Sequence, residues 1–218
     1  DDTGMVFSLF KQPLPSYNSG NVILAKGPQW PAGGIVASLV NMEEAYGWRN
    51  DLQAYRNDGV NDYVSLGTNI GTYTNQMTIN LWLSQKYTAG INNIFWKSVS
   101  SKQQITVYTA TSGRICVSVS NGANQVALFD SLTGLIADDE IYQLTVVINL
   151  GDAKKVVVYV NGKALTTVSN PITASVLPDV SGAVGSILGR SGSTSTVNGL
   201  CKQCTVFNTT KAAEQVAA

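Results

Sequence analysis

Apolar side chains recur two residues apart along most of this chain. Across 76–86, Met77, Ile79, Leu81 and Leu83 share one phase, while Thr78, Asn80 and Ser84 share the other. Successive side chains of a strand point to opposite faces, so the pattern predicts a strand buried on one side. Ile115, Val117 and Val119 repeat the pattern over 114–120, and Val156, Val158 and Val160 over 155–161. Shorter runs predict strands at 61–66, 92–97, 104–109, 125–129, 142–150, 163–168, 185–189 and 200–207. Asn161-Gly162 closes one of them with the two positive-φ positions of a type I′ hairpin. Strands spaced by turn residues, with no long amphipathic helix between them, predict an antiparallel sandwich or barrel.

The first fifty residues lack this rhythm. Pro13, Pro15, Pro28 and Pro31 hold four of the chain's six prolines, and they punctuate short apolar pieces such as Val22-Ile23-Leu24. This predicts an extended, irregular N-terminal arm over 1–50 and a sandwich over 51–218. Within the arm, Asn41-Met42-Glu43-Glu44 has the spacing of a capping box, so a short helix ending near Gly47 is expected. Thr210 is placed to cap a last helical turn from Lys211 to Val216. The chain opens Asp1-Asp2-Thr3 and is expected to start at a processed or truncated end.

Composition narrows the function. The 218 residues are 44% hydrophobic, enough for a large core, and no apolar run reaches the length of a membrane helix. Only 13% are charged, and 14 basic residues meet 14 acidic ones, so there is no electrostatic footprint for nucleic acid. Histidine is absent, which removes the commonest general base and metal-binding imidazole. Cys116, Cys201 and Cys204 cannot all pair within the chain. Cys201 and Cys204 have C-x-x-C spacing but no second pair and no histidine, so buried, small apolar side chains are expected instead.

Four phrases in order point to a family. They are Asp58-Gly59-Val60-Asn61-Asp62-Tyr63-Val64, Met77-Thr78-Ile79-Asn80-Leu81-Trp82-Leu83, Tyr159-Val160-Asn161-Gly162-Lys163, and the closing stretch from Asn198-Gly199-Leu200 to Val206-Phe207-Asn208. Lys211-Ala212-Ala213-Glu214 adds the end of the pattern. Together they resemble laminin-G-like domains of the concanavalin A-like lectin/glucanase superfamily. The resemblance covers 57–218 and implies an all-β, antiparallel jelly-roll β-sandwich. The chain departs from the pattern at Ile141-Tyr142-Gln143, where relatives carry W-H-H, and at Lys202-Gln203, where they carry an acidic pair.

Candidate chemistry follows from that resemblance and its gaps. Glucanases of the superfamily set carboxylates on one strand as E-x-D-x-x-E, and this chain has only Glu43, Glu44, Glu140 and Glu214, none in such a string. No enzyme is expected, and no cofactor. Relatives that bind calcium direct attention to Asp58, Asn61 and Asp62, which also suit plain turn-shaping. Lectin-like modules stack sugars on exposed aromatics, which makes Tyr73, Tyr87 and Trp96 the candidates, whereas Trp82, inside an alternating strand, reads as packing. Asn208-Thr209-Thr210 is a glycosylation sequon, meaningful only in a secreted eukaryotic protein.

Two functions are expected from these readings. The first is a non-enzymatic structural protein of a phage virion or similar assembly, a capsid decoration or tail component docking onto other structural proteins through residues 1–50. Its grounds are the missing catalytic set, the low charge, the irregular arm and the recurrence of such domains in phage particles. The second is a secreted or cell-surface carbohydrate-binding module meeting surface glycans. Either places the protein in a virion or outside the cell, with no nucleic acid partner and no membrane insertion.

Overall fold

The structure, a computed structural model, describes residues 5–9, 22–24, 36–41, 47–49, 52, 54–68, 73–86, 90–100, 103–110, 113–121, 125–131, 138–153, 155–169, 176–190 and 194–211. These form seventeen strands. In order they are β1 (Met5–Leu9), β2 (Val22–Leu24), β3 (Val36–Val40), β4 (Gly47–Arg49), β5 (Ala54–Asp58), β6 (Tyr63–Gly67), β7 (Gln76–Lys86), β8 (Asn92–Ser100) and β9 (Gln103–Ala110). Then come β10 (Arg114–Asn121), β11 (Gln125–Ser131), β12 (Tyr142–Asn149), β13 (Val156–Val160), β14 (Lys163–Ala164), β15 (Thr167–Ser169), β16 (Gly185–Ile187) and β17 (Asn198–Phe207).

They make two antiparallel sheets, as the alternation predicts. The first runs β14-β13-β12-β7-β17-β5-β4, and β1 joins β17 beside β5. The second runs β15-β11-β10-β9-β8-β16-β6-β3-β2. Met77, Ile79, Leu81 and Leu83 on β7 and Leu144, Val146 and Ile148 on β12 are fully buried between the sheets. Ile105 and Val107 on β9, with Ile115, Val117 and Val119 on β10, meet them from the second sheet. Burial of each such side chain contributes about 1.5–3 kcal/mol, so the sandwich interior supplies the main driving force. The β13–β14 hairpin turns at Asn161 (φ 49°) and Gly162 (φ 74°), the left-handed pair that a two-residue I′ turn needs.

Where residues of the expected arm over 1–50 are described, they pair with strands of the two sheets. β1 pairs with Cys204–Phe207 of β17, continuing along the edge where β5 pairs with Asn198–Cys201. β4 extends the first sheet beyond β5, and β3 and β2 extend the second beyond β6. These short strands lie among the prolines and glycines of 1–50, which break the pattern a longer strand would show. The helix expected from Asn41 falls mostly on 42–46, outside the described residues. Asn41 itself has φ 59°, unlike an N-cap, and its Nδ2 donates to the Asn61 carbonyl at 3.1 Å; Gly47 opens β4. The final turn over 212–216 also lies outside. Lys211 is buried, its backbone N–H donating to the Thr78 hydroxyl at 3.1 Å.

One irregularity sets side-chain direction. β17 shifts register against β7 between Cys201 and Gln203, leaving Lys202 as the extra residue of a β-bulge. Both Cys201 and Cys204 therefore face inward, opposite Leu83 and Leu81. With Cys116 they are buried free thiols, as the composition suggests. Trp82 is corrected outward: it sits on the outer face of the first sheet, 37% exposed, between Gln143 on β12 and Gln203 on β17.

Candidate functional site

The outer face of the second sheet carries a line of hydroxyls broken by one indole. Across β3, β6, β16, β8, β9 and β10 the cross-strand partners are Ser38, Ser65, Ser186, Trp96, Thr106 and Ser118. Strand alternation explains the line: Phe95 and Lys97 point inward beside Trp96, and Ile105 and Val107 point inward beside Thr106. One row further along, Asn93 of β8 faces Tyr108 of β9, and on the other side Ser98 faces Gln104.

A cavity of about 210 Å³ opens here, its walls built by Asn93, Trp96, Gln104, Tyr108, Arg190 and Ser195. Thr106 and Ser118 lie beneath, both buried, the Thr106 hydroxyl donating to the Ser118 carbonyl at 3.5 Å. The far wall comes from the segment after β16, and that segment is tied down. Leu188, at φ 62°, donates its N–H to the Ile94 carbonyl at 2.9 Å and accepts from the Val197 N–H at 2.9 Å. Ser186 Oγ donates to the Gly189 carbonyl at 2.7 Å, and Asn57 Nδ2 donates to the Leu188 carbonyl at 3.0 Å. Asn93 donates from both its backbone N–H (3.2 Å) and its Nδ2 (3.0 Å) to the Ser195 carbonyl. Arg190 leaves this pinned segment and lays its guanidinium over the Trp96 ring, 5.1 Å from the centroid. None of the described lining residues is acidic.

Of the expected sugar-stacking aromatics, Trp96 lies in this site. Tyr73 does not: it is buried in the core cluster, and burial pushes its phenol far above the ordinary range, so it offers no platform. It borders a separate cavity of about 350 Å³ with Thr74, Leu177 and Asp179. Tyr87 is outside the described residues. Asp58, Asn61 and Asp62 shape a turn. Asp62 Oδ2 accepts the Asp58 N–H at 3.1 Å, Asp58 Oδ1 accepts the Val60 N–H at 2.7 Å, and Asn61 gives its carbonyl to Asn41. A divalent cation there would compete with these bonds, and among the described residues no group of three His, Cys, Asp or Glu side chains converges as a ligand set.

Other polar groups are structural. Lys97 is completely buried at the inner face of β8, donating to the Thr68 and Ala183 carbonyls at 3.4 and 3.3 Å. Burial lowers its pKa to about 8, against an opposing pull from Asp179. Burial likewise pushes the Cys201 thiol up to about 12 and the Cys204 thiol well above its usual value. Arg190, Asn93, Tyr108 and Ser195 escape sequence reading, because only the fold brings the segment after β16 beside β8 and β9. Among the described residues no helix is long and apolar enough to cross a membrane.

Comparison with known proteins fits this architecture. Sialidase from Trypanosoma rangeli superposes with a TM-score of 0.64 at 12% identity, over 100% of this chain and 32% of the sialidase. A mutant of NanB sialidase from Streptococcus pneumoniae gives 0.58 at 16% identity, over 76% of this chain and 27% of that one. The CBM40 of the Ruminococcus gnavus IT-sialidase, solved bound to α2,3-sialyllactose, gives 0.54 at 13% identity, covering 66% of this chain and 82% of the CBM40. The chain thus spans about a third of the length of the sialidases, and at these identities the likeness is one of fold. No curated protein sequence matches. The family model for concanavalin A-like lectin/glucanases covers residues 58–217, and the chain belongs to that superfamily.

Proposed function

We propose that this protein is a non-catalytic carbohydrate-binding module whose ligand occupies the Trp96 cavity. The observation that carries the reading is the cavity itself: a concave site on a rigid sheet, lined by two aromatics, two side-chain amides and an arginine. Sugars are recognised by such convergent polar groups around apolar surface, and a site built on strands is held more firmly than one on loops. The fold it shares with a CBM40 bound to α2,3-sialyllactose adds support at the level of fold analogy. Non-catalytic action is favoured by the missing carboxylates: most glycoside hydrolases use a carboxylate pair flanking the scissile bond, and none of the described lining residues of the cavity is acidic.

The rival reading, a virion decoration docking through residues 1–50, depends on a segment that is available to a partner. β1, β2, β3 and β4 instead pair with strands of their own sandwich. The two readings overlap only if a displayed module also binds glycans.

A glycan array with the full chain, followed by calorimetric titration of its best ligand, tests the proposal. Wild type retains a defined set of glycans, Trp96→Ala weakens them at least tenfold, and Trp82→Ala leaves them unchanged. Retention of nothing, or full affinity in folded Trp96→Ala, overturns it. Release of reducing sugar from any retained glycan overturns the non-catalytic part.

A further inference from the structure

We infer that the ligand of the Trp96 cavity is a sugar bearing a carboxylate, with Arg190 as its receptor; this rests on the carbohydrate reading of the same site. The guanidinium lies over the indole at 5.1 Å from the ring centroid, so that face of Trp96 is already occupied. A pyranose stacking there would have to displace a cation held by the ring's quadrupole. Trp96 is therefore a positioning residue for Arg190 rather than the platform for the sugar. The guanidinium's N–H groups lie in its own plane whatever its tilt to the ring, and that fork matches a carboxylate with two parallel hydrogen bonds.

The surroundings suit an acidic sugar, with one charge for the carboxylate and neutral groups for the hydroxyls. Arg190 brings a positive charge to a wall on which no described residue is acidic. The remaining wall groups, Asn93, Gln104, Tyr108 and Ser195, are neutral hydrogen-bonding partners suited to hydroxyls. At about 210 Å³ the cavity falls below the usual size for drug-sized ligands, which limits it to about one ring. The backbone that carries the arginine is held: Leu188 and Gly189 just before it are fixed by the Ile94, Val197, Asn57 and Ser186 bonds. The selected feature is thus the terminal acidic sugar of a glycan.

The experiment titrates the full chain with five probes by calorimetry: sialyllactose, a glucuronate-terminated oligosaccharide, the methyl ester of each, and neutral lactose, with sulfated lactose as a control anion. At least one free acid binds, and its methyl ester and lactose bind at least tenfold more weakly. Arg190→Gln removes that preference, Arg190→Lys restores it only in small part, and Trp96→Leu weakens the acid while leaving the fold intact by circular dichroism. Raising the salt weakens the acid and not lactose. Equal affinity for acid and ester, or a preference that survives Arg190→Gln, overturns the inference while leaving the carbohydrate reading standing. Sulfated lactose binding as tightly as the acids overturns the commitment to a carboxylate. Failure of every probe, together with an empty glycan array, overturns both.

Discussion

Cys201 and Cys204 are three residues apart on one strand, yet both side chains enter the core. Strict alternation would send one of them to the outer face, and the bulge at Lys202 corrects the phase. Burial then pushes both thiols out of the reactive range, Cys201 to about 12. The native protein should accordingly leave all three cysteines untouched by a thiol-reactive disulfide reagent at pH 8, and yield three reacting thiols in denaturant. Rapid reaction of two thiols in the folded state would contradict the inward placement.

Gly199 pairs with Gln85 where β17 lies against the backbone of β7. A methyl group there would land on the Ser84 carbonyl oxygen and come within 2.8 Å of the Gln85 Cα, both backbone atoms that cannot rotate away. Gly199→Ala should cost about 1–3 kcal/mol, the usual cost of overpacking, by forcing the strands apart. Urea unfolding of the two proteins measures it, and an unchanged midpoint would refute the close approach.

Asn57 ties the opening turn to the wall of the cavity. Fully buried, its Nδ2 donates to the carbonyls of Asp62 and Leu188, each at 3.0 Å. Asn57→Ala leaves both acceptors buried without that donor and should cost about 1–3 kcal/mol. Because Leu188 anchors the segment that carries Arg190, glycan affinity should fall as well, although Asn57 touches no ligand. A loss of stability with unaltered affinity would show that the anchor does not position Arg190.

Period carried most of this fold. β7 matches its predicted bounds, and the I′ turn at Asn161-Gly162 was legible because few dipeptides tolerate two left-handed residues. Trp82 was legible in principle, since the phase that buries Leu81 and Leu83 sends it outward; taking a tryptophan for core by type overrode the pattern. Tyr73, with no strand period around it, gave no sign of facing inward. The first-sheet and second-sheet edges supplied by residues 1–50 had no period long enough to read. Trp96 could be named as an aromatic at a strand, but its partner Arg190 is 94 residues later in the chain and meets it only because β16 inserts between β6 and β8. Such pairings depend on strand order, which local sequence does not encode.

Lys97 makes stability depend on pH in an unusual direction. Its side chain lies inside the sandwich with two carbonyls for partners, and burial lowers its pKa from the ordinary 10.5 to about 8. Between those values the unfolded chain holds a proton on this lysine that the folded chain has released. Stability therefore rises with pH wherever the unfolded state binds more protons. The penalty for burying the charged form is complete below pH 8, shrinks through the window, and is gone above about 10.5, with a span of at most about 3.5 kcal/mol. Other groups titrate in the same range, so the informative quantity is the difference between wild type and Lys97→Met, measured by urea unfolding at pH 7, 8, 9 and 10. The stability of wild type relative to the variant should climb across that series. A flat difference would mean that the ammonium is solvated in the folded state, and that the Thr68 and Ala183 carbonyls do not hold it in a dry interior.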